Sequence, residues 1–216
     1  MNHYPLLTYI SIFSSIVPIG AGISKIMRMD RGMKILMFYL VFAIAADIYF
    51  LWFANIRQLH LGLVHVYYLV EYIFIGSIIF IWQESIRTKR FFQALILLYV
   101  LFWCVAKTTF EPLGGLYSIT ATTSQVLLTL GAGYTLFVVM GNREQPLMNN
   151  YHFWVLLSFV IYYSGTLLFI ALRGILIQYS LEKLFLVASI DWSLKILFNV
   201  LFAIGFLCPQ TRTEYL

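Results

Sequence analysis

The sequence is poor in charge: only 11% of its 216 residues are Asp, Glu, Lys or Arg, against roughly 25% in a soluble domain. With 62% hydrophobic and 18% aromatic residues and a mean hydropathy of +0.87, a water-soluble fold is excluded, and with it a cytosolic enzyme or a nucleic-acid-binding domain. Cysteine is scarce as well. Cys104 and Cys208 form no CxxC pair and no cluster with histidine, so they read as small packing residues. The histidines, His3, His60, His65 and His152, have no HxxxH spacing, and no metal site is expected. Long hydrophilic stretches are missing too: the gaps between apolar runs are short, Gly141–Asn150 among the longest, so no extramembrane domain is expected.

What the sequence does contain is apolar runs of membrane-spanning length, about 20 residues each. They are Pro5–Ile23, Lys34–Ala54, Gly62–Trp82, Phe91–Lys107, Tyr117–Met140, His152–Leu172 and Leu184–Cys208. The runs are continuous rather than alternating, which selects helices over β-strands. The predicted fold is therefore all-α: a single polytopic membrane domain, a seven-transmembrane-helix bundle covering residues 1–216. No Lys or Arg precedes the first run and no small-residue cleavage pattern follows it, so it is predicted to stay as the first helix. Of the basic residues, Arg57, Lys107, Arg173 and Lys183 fall on one side of the membrane, Lys195 lies inside a helix, and the others fall on the opposite side. The positive-inside rule then places the N-terminus outside and the C-terminus inside. The net charge of +5 sits mostly in these short loops, where lipid headgroups rather than nucleic acid are the natural partner.

Four charged residues, Asp47, Glu71, Asp191 and Lys195, lie inside the runs and do nothing to set orientation. A charge at mid-membrane costs on the order of 3 kcal/mol on insertion scales, so each calls for a partner or a purpose. Asp191 and Lys195 are one helical turn apart, acid first, and Asn199 extends the same face. They are read either as a self-neutralising pair or as a ligand, proton or ion site. On the third run His65, Tyr68 and Tyr72 share a face bordered by Glu71. With the N-terminus outside, Asp47, His65, Glu71 and Asp191 fall in the outer half or near the midplane. Ser118, Thr120, Thr122, Thr123, Ser124 and Gln125 of the fifth run, and Tyr162, Tyr163, Ser164 and Thr166 of the sixth, add to this bias. The expectation is a polar pocket opening outward that binds a small molecule through Asp47, His65, Tyr68, Glu71, Tyr162, Ser164, Asp191, Lys195 and Asn199. The competing expectation is that the hydroxyls bond only to their own helices.

Three function classes fit: a sensor or receptor-like subunit that signals through a separate protein, an ion- or proton-coupled transporter, and a membrane-embedded enzyme. No catalytic constellation is visible, and no repeat of the kind common in transporters. Asp191-Trp192-Ser193-Leu194-Lys195 resembles the Asp-x-x-x-Lys pattern by which microbial rhodopsins hold retinal, which implies a Schiff base at Lys195. The third run lacks the Arg-Tyr-x-Asp-Trp-x-x-Thr segment of that family and the sixth lacks Trp-x-x-Tyr-Pro, so no cofactor is otherwise expected. A broader resemblance covers most of the chain. His65-Val66-Tyr67 with Glu71-Tyr72, Phe153-Trp154 with Ile161 to Thr166, and Asn199 to Phe206 resemble a family of uncharacterised bacterial seven-helix membrane proteins, some of which accompany two-component signalling proteins. That resemblance implies a multi-pass protein of the bacterial inner membrane, a sensing role with a signalling partner, and His65, Glu71, Tyr162, Ser164 and Asn199 as its functional positions.

Overall fold

The computed structural model describes residues 5–55, 61–114, 119–141, 146–179 and 181–209. His3, Arg57, His60, Ser118, Arg143 and Arg212 lie outside these residues, as do the side chains of Arg173 and Lys183. The described residues are helical, with no strand among them. The helices are α1 (Leu6–Phe13), α2 (Ile16–Ile23), α3 (Arg31–Asn55), α4 (Leu61–Ile81), α5 (Ile86–Thr109), α6 (Ile119–Gly141), α7 (Tyr151–Tyr179) and α8 (Leu181–Leu207). Among the described residues six segments are long and apolar enough to cross a membrane: Leu6–Ile23, Arg31–Phe53, Leu61–Ile81, Ile86–Thr109, Ile119–Gly141 and Ala188–Leu207. The remaining apolar run of the sequence, His152–Leu172, lies within the 29-residue α7, which packs on α6 and α8.

The surface is inverted relative to a soluble protein. Phe38, Trp52, Leu98, Leu101, Leu130 and Phe137 are all more than half exposed, whereas Glu71, Gln83, Gln125 and Asn199 are buried. Apolar faces of this extent are tolerable only in lipid. The chain is a multi-pass membrane protein.

The first apolar run is not one helix, as the sequence suggested, but two. Pro18 explains the break: it has no N–H to give the carbonyl four residues earlier, and its ring crowds that carbonyl. That residue is Ser14. Its carbonyl takes the Val17 N–H at 3.1 Å instead, and the Ser15 N–H turns back to the Ile12 carbonyl at 3.3 Å. Asn199 of α8 fills the break, its Nδ2 donating to Ser14 Oγ at 2.7 Å and to Ser15 Oγ at 3.1 Å.

Other helix ends are fixed by specific bonds. Asp30 caps the start of α3: its Oδ1 accepts the Met33 N–H and its Oδ2 accepts the Trp82 indole N–H, each at 2.8 Å. Gly32 is required beside it, because a methyl group there would collide with the Trp82 indole. Lys25 Nζ donates to the Leu207 carbonyl at 2.6 Å, where a cation suits the C-terminal end of α8. Trp82 also meets His152 edge-on, with ring centroids 4.7 Å apart. These contacts gather the end of α2, the start of α3, the end of α4, the start of α7 and the end of α8 at one end of the bundle.

Helical periodicity accounts for what faces the interior. On α3 the buried residues Met33, Leu36, Leu40 and Ala43 form a stripe at alternating spacings of three and four, and Asp47 is its next position. On α8 Lys195, Asn199, Phe202 and Phe206 share a face in the same way, with the last three buried. Phe159 and Tyr163 of α7 pack against Phe198 and Phe202, completing the aromatic part of the core.

Candidate functional site

Two polar clusters lie inside this bundle. In the first, an ion pair joins Lys195 Nζ of α8 to Asp47 Oδ2 of α3, with 17% of each side chain exposed. The sequence offered Asp191, one turn earlier on α8, as the partner; the structure adds one from another helix. Glu71 of α4, only 4% exposed, accepts the Tyr39 hydroxyl at 2.6 Å and the Tyr163 hydroxyl at 3.3 Å through Oε1. Lys195 and Asp47 are within electrostatic reach of Glu71. Tyr162 lies edge-on to Tyr163 with ring centroids 5.3 Å apart, and Tyr67 stacks on Phe42 of α3 at 5.9 Å. The Lys195–Asp47 pair and the Glu71–Tyr39–Tyr163 group, carried by α3, α4, α7 and α8, are thus neighbours.

The second cluster is at the bundle end opposite Trp82. Glu111, just beyond α5 and 5% exposed, pairs with Lys107 one turn before it. Its Oε2 accepts the Thr120 N–H at 2.9 Å and its Oε1 accepts the Thr120 hydroxyl at 3.0 Å, so this carboxylate caps the start of α6. His65 Nδ1 lies 3.6 Å from Glu111 Oε1 and 3.1 Å from Lys107 Nζ. The Tyr99 hydroxyl donates to the Thr120 carbonyl at 3.0 Å, and its ring lies against that of Tyr72 with centroids 3.9 Å apart. The cluster ties α4, α5 and α6 together.

The predicted site residues therefore divide. Asp47 and Lys195 are paired, Asp191 lies one turn before Lys195 on α8, and Glu71 bonds to Tyr39 and to Tyr163, the ring neighbour of Tyr162. His65 belongs to the second cluster, and Asn199 to the break between α1 and α2. Tyr68 is half-buried, its ring edge-on to Tyr67 at 5.9 Å. Ser164 is exposed on α7, and its hydroxyl donates to the Val160 carbonyl at 2.6 Å, turned back on its own helix. On α6 the hydroxyls of Thr123, Ser124 and Thr129 likewise donate to the carbonyls of Ile119, Ala121 and Gln125. An exception is Thr166, which also bonds across to Gln125 Oε1 at 3.1 Å.

Tyr39, Lys107, Glu111 and Ser14 were not singled out by the sequence. Tyr39 has a legible signal, since it lies two turns before Asp47 on α3, but nothing local tells an interior phenol from one at the lipid interface. A cavity of about 390 Å³ between α3 and α4, lined by Ile35, Val70, Ile73, Phe74 and Ser77, contains none of the charged residues. Among the described residues no group of three or more His, Cys, Asp or Glu has the geometry to hold a metal ion. Comparison with protein-family models, with curated proteins and with solved structures finds no match for this chain.

Proposed function

We propose that the chain is a sensor or receptor-like subunit of a bacterial inner membrane, built as seven spanning helices with the N-terminus outside and the C-terminus inside. A small ligand binds at the Asp47–Glu71–Lys195 cluster from the outer side, and the change passes to a separate signalling protein through the short inner loops. One observation carries this reading: the ion pair between Lys195 and Asp47 is half-buried and joins two helices far apart in the chain. A ligand that competes for either member alters how α8 is held against α3, and a differential contact of this kind is what a switch requires. The seven-helix resemblance, with its signalling neighbours, points the same way. So does the basic inner face expected from the loop charges.

A transporter is the second reading, and the break at Ser14–Ser15 favours it, because transporters build their sites on discontinuous helices. Proteoliposomes containing a pH-reporting dye separate the two. Under an imposed pH step, in a mixture of amino acids and amines, the sensor reading expects relaxation no faster than in protein-free vesicles. It also expects a histidine kinase to co-purify with the protein from its native membrane. Solute-dependent proton flux without such a partner contradicts it.

A further inference from the structure

We propose that the cleft between α3 and α4 holds one acyl chain of an anionic phospholipid whose phosphate rests on Arg31 and Lys34. This goes beyond the sensor reading and does not depend on it.

Shape is the first reason. The cavity lined by Ile35, Val70, Ile73, Phe74 and Ser77 lies within two apolar spans, and Ile73 is 38% exposed, so the cavity faces bilayer hydrocarbon rather than water. Val70 to Ser77 covers about 10 Å along α4. The cavity's 390 Å³, spread over that length, is about 7 Å across, room for a hydrocarbon chain but not for a helix about 10 Å in diameter. Away from Trp82, Phe42 of α3 stacks on Phe74 and Tyr67 of α4, at 6.0 and 5.9 Å, so rings fill the space between the two helices there.

Charge is the second reason. At the Trp82 end Arg31 lies one turn before Ile35 on the same face of α3, with Lys34 on its flank. Both are exposed, and neither has an ion pair among the described residues. The adjacent Asp30 carboxylate is taken by the Met33 N–H and the Trp82 indole. A basic pair at the mouth of an apolar slot matches a phosphate that carries a hydrocarbon tail. A lipid chain enters the cleft from among other lipid chains, so burying the tail gives little net gain and the headgroup charge decides which lipid is held. A second copy docked here about a two-fold axis along the membrane normal would set Arg31 and Lys34 against their own equivalents, which like charges oppose.

Native mass spectrometry of the purified full-length protein tests this. In a nonionic detergent the protein is titrated with phosphatidylglycerol or with phosphatidylcholine carrying the same two oleoyl chains. One phosphatidylglycerol is expected to be retained about tenfold more tightly than phosphatidylcholine, since each basic residue near an anionic headgroup contributes a factor of about five before screening. Arg31→Gln/Lys34→Gln is expected to cut that preference to about twofold or less. Ser77→Phe, which fills the cleft, is expected to weaken retention of phosphatidylglycerol. Equal retention of the two lipids by the wild type, as for ordinary boundary lipid, overturns the proposal. So does an unchanged preference in Arg31→Gln/Lys34→Gln, undiminished retention in Ser77→Phe, or a protein dimer that forms in place of the lipid complex. If Ser77→Phe does not fold, the wild type is irradiated with a phosphatidylglycerol bearing a diazirine midway along one acyl chain. Adducts within residues 70–77 that unlabelled phosphatidylglycerol competes away and phosphatidylcholine does not support the proposal, and their absence overturns it.

Discussion

Replacing Glu111 by alanine is expected to destabilise the protein by about 3–5 kcal/mol, the range for removing one partner of a buried ion pair. The expectation lies toward the upper end because this carboxylate makes three kinds of contact. It neutralises Lys107 in a site where only 5% of either side chain is exposed, it stands beside His65, and it accepts the Thr120 N–H in the first turn of α6. Alanine leaves an ammonium without its countercharge and removes a helix cap worth about 1 kcal/mol. Glu111→Gln keeps an acceptor for Thr120 but not the charge, so about half the loss is expected. Unfolding of the purified protein by heat or denaturant, followed by circular dichroism, measures both. A loss below about 1 kcal/mol for alanine would mean that the cluster adds nothing net to stability.

The second large effect is expected at Lys195 and Asp47, as a coupling rather than as two separate losses. Lys195→Met strands the Asp47 carboxylate among apolar and phenolic groups, and Asp47→Asn removes the carboxylate bonded to the ammonium. Each is expected to cost about 2–4 kcal/mol, reduced from the fully buried range because 17% of each side chain remains exposed. Asp47→Asn/Lys195→Met removes both charges of the pair and is expected to recover most of that loss. The resulting coupling energy is about 2 kcal/mol, read from the same unfolding curves. Additive single losses would show that the two side chains do not depend on each other.

The spans were legible because length and composition alone decide them: runs such as Gly62–Trp82 and α4 nearly coincide. Their ends were less so. Arg87, Lys89 and Arg90 continue α5 toward Ser85 because charged side chains tolerate a helix at the interface, where hydropathy no longer signals it. The break after Phe13 was readable in principle from Pro18 and the carbonyl it disables. Charges inside runs were visible one by one, but which acid meets Lys195 depends on how α3 and α8 sit together across 148 residues of chain. Glu111 was hidden for a related reason. Followed by Pro112 and Gly114, it reads as part of an exposed turn, and only the return of α6 over the end of α5 buries it.

A ligand site around Lys195, as proposed, is reached from the side on which the N-terminus lies. In a cysteine-free background, Asp191→Cys is to be treated with a membrane-impermeant thiol reagent, in right-side-out and in inverted membrane vesicles. Asp191 is half-buried and lies one turn before Lys195 on α8, outside the Lys195–Asp47 pair. Labelling in right-side-out vesicles alone is the predicted result. Labelling in inverted vesicles alone, or protection in both while the protein remains folded, would contradict it.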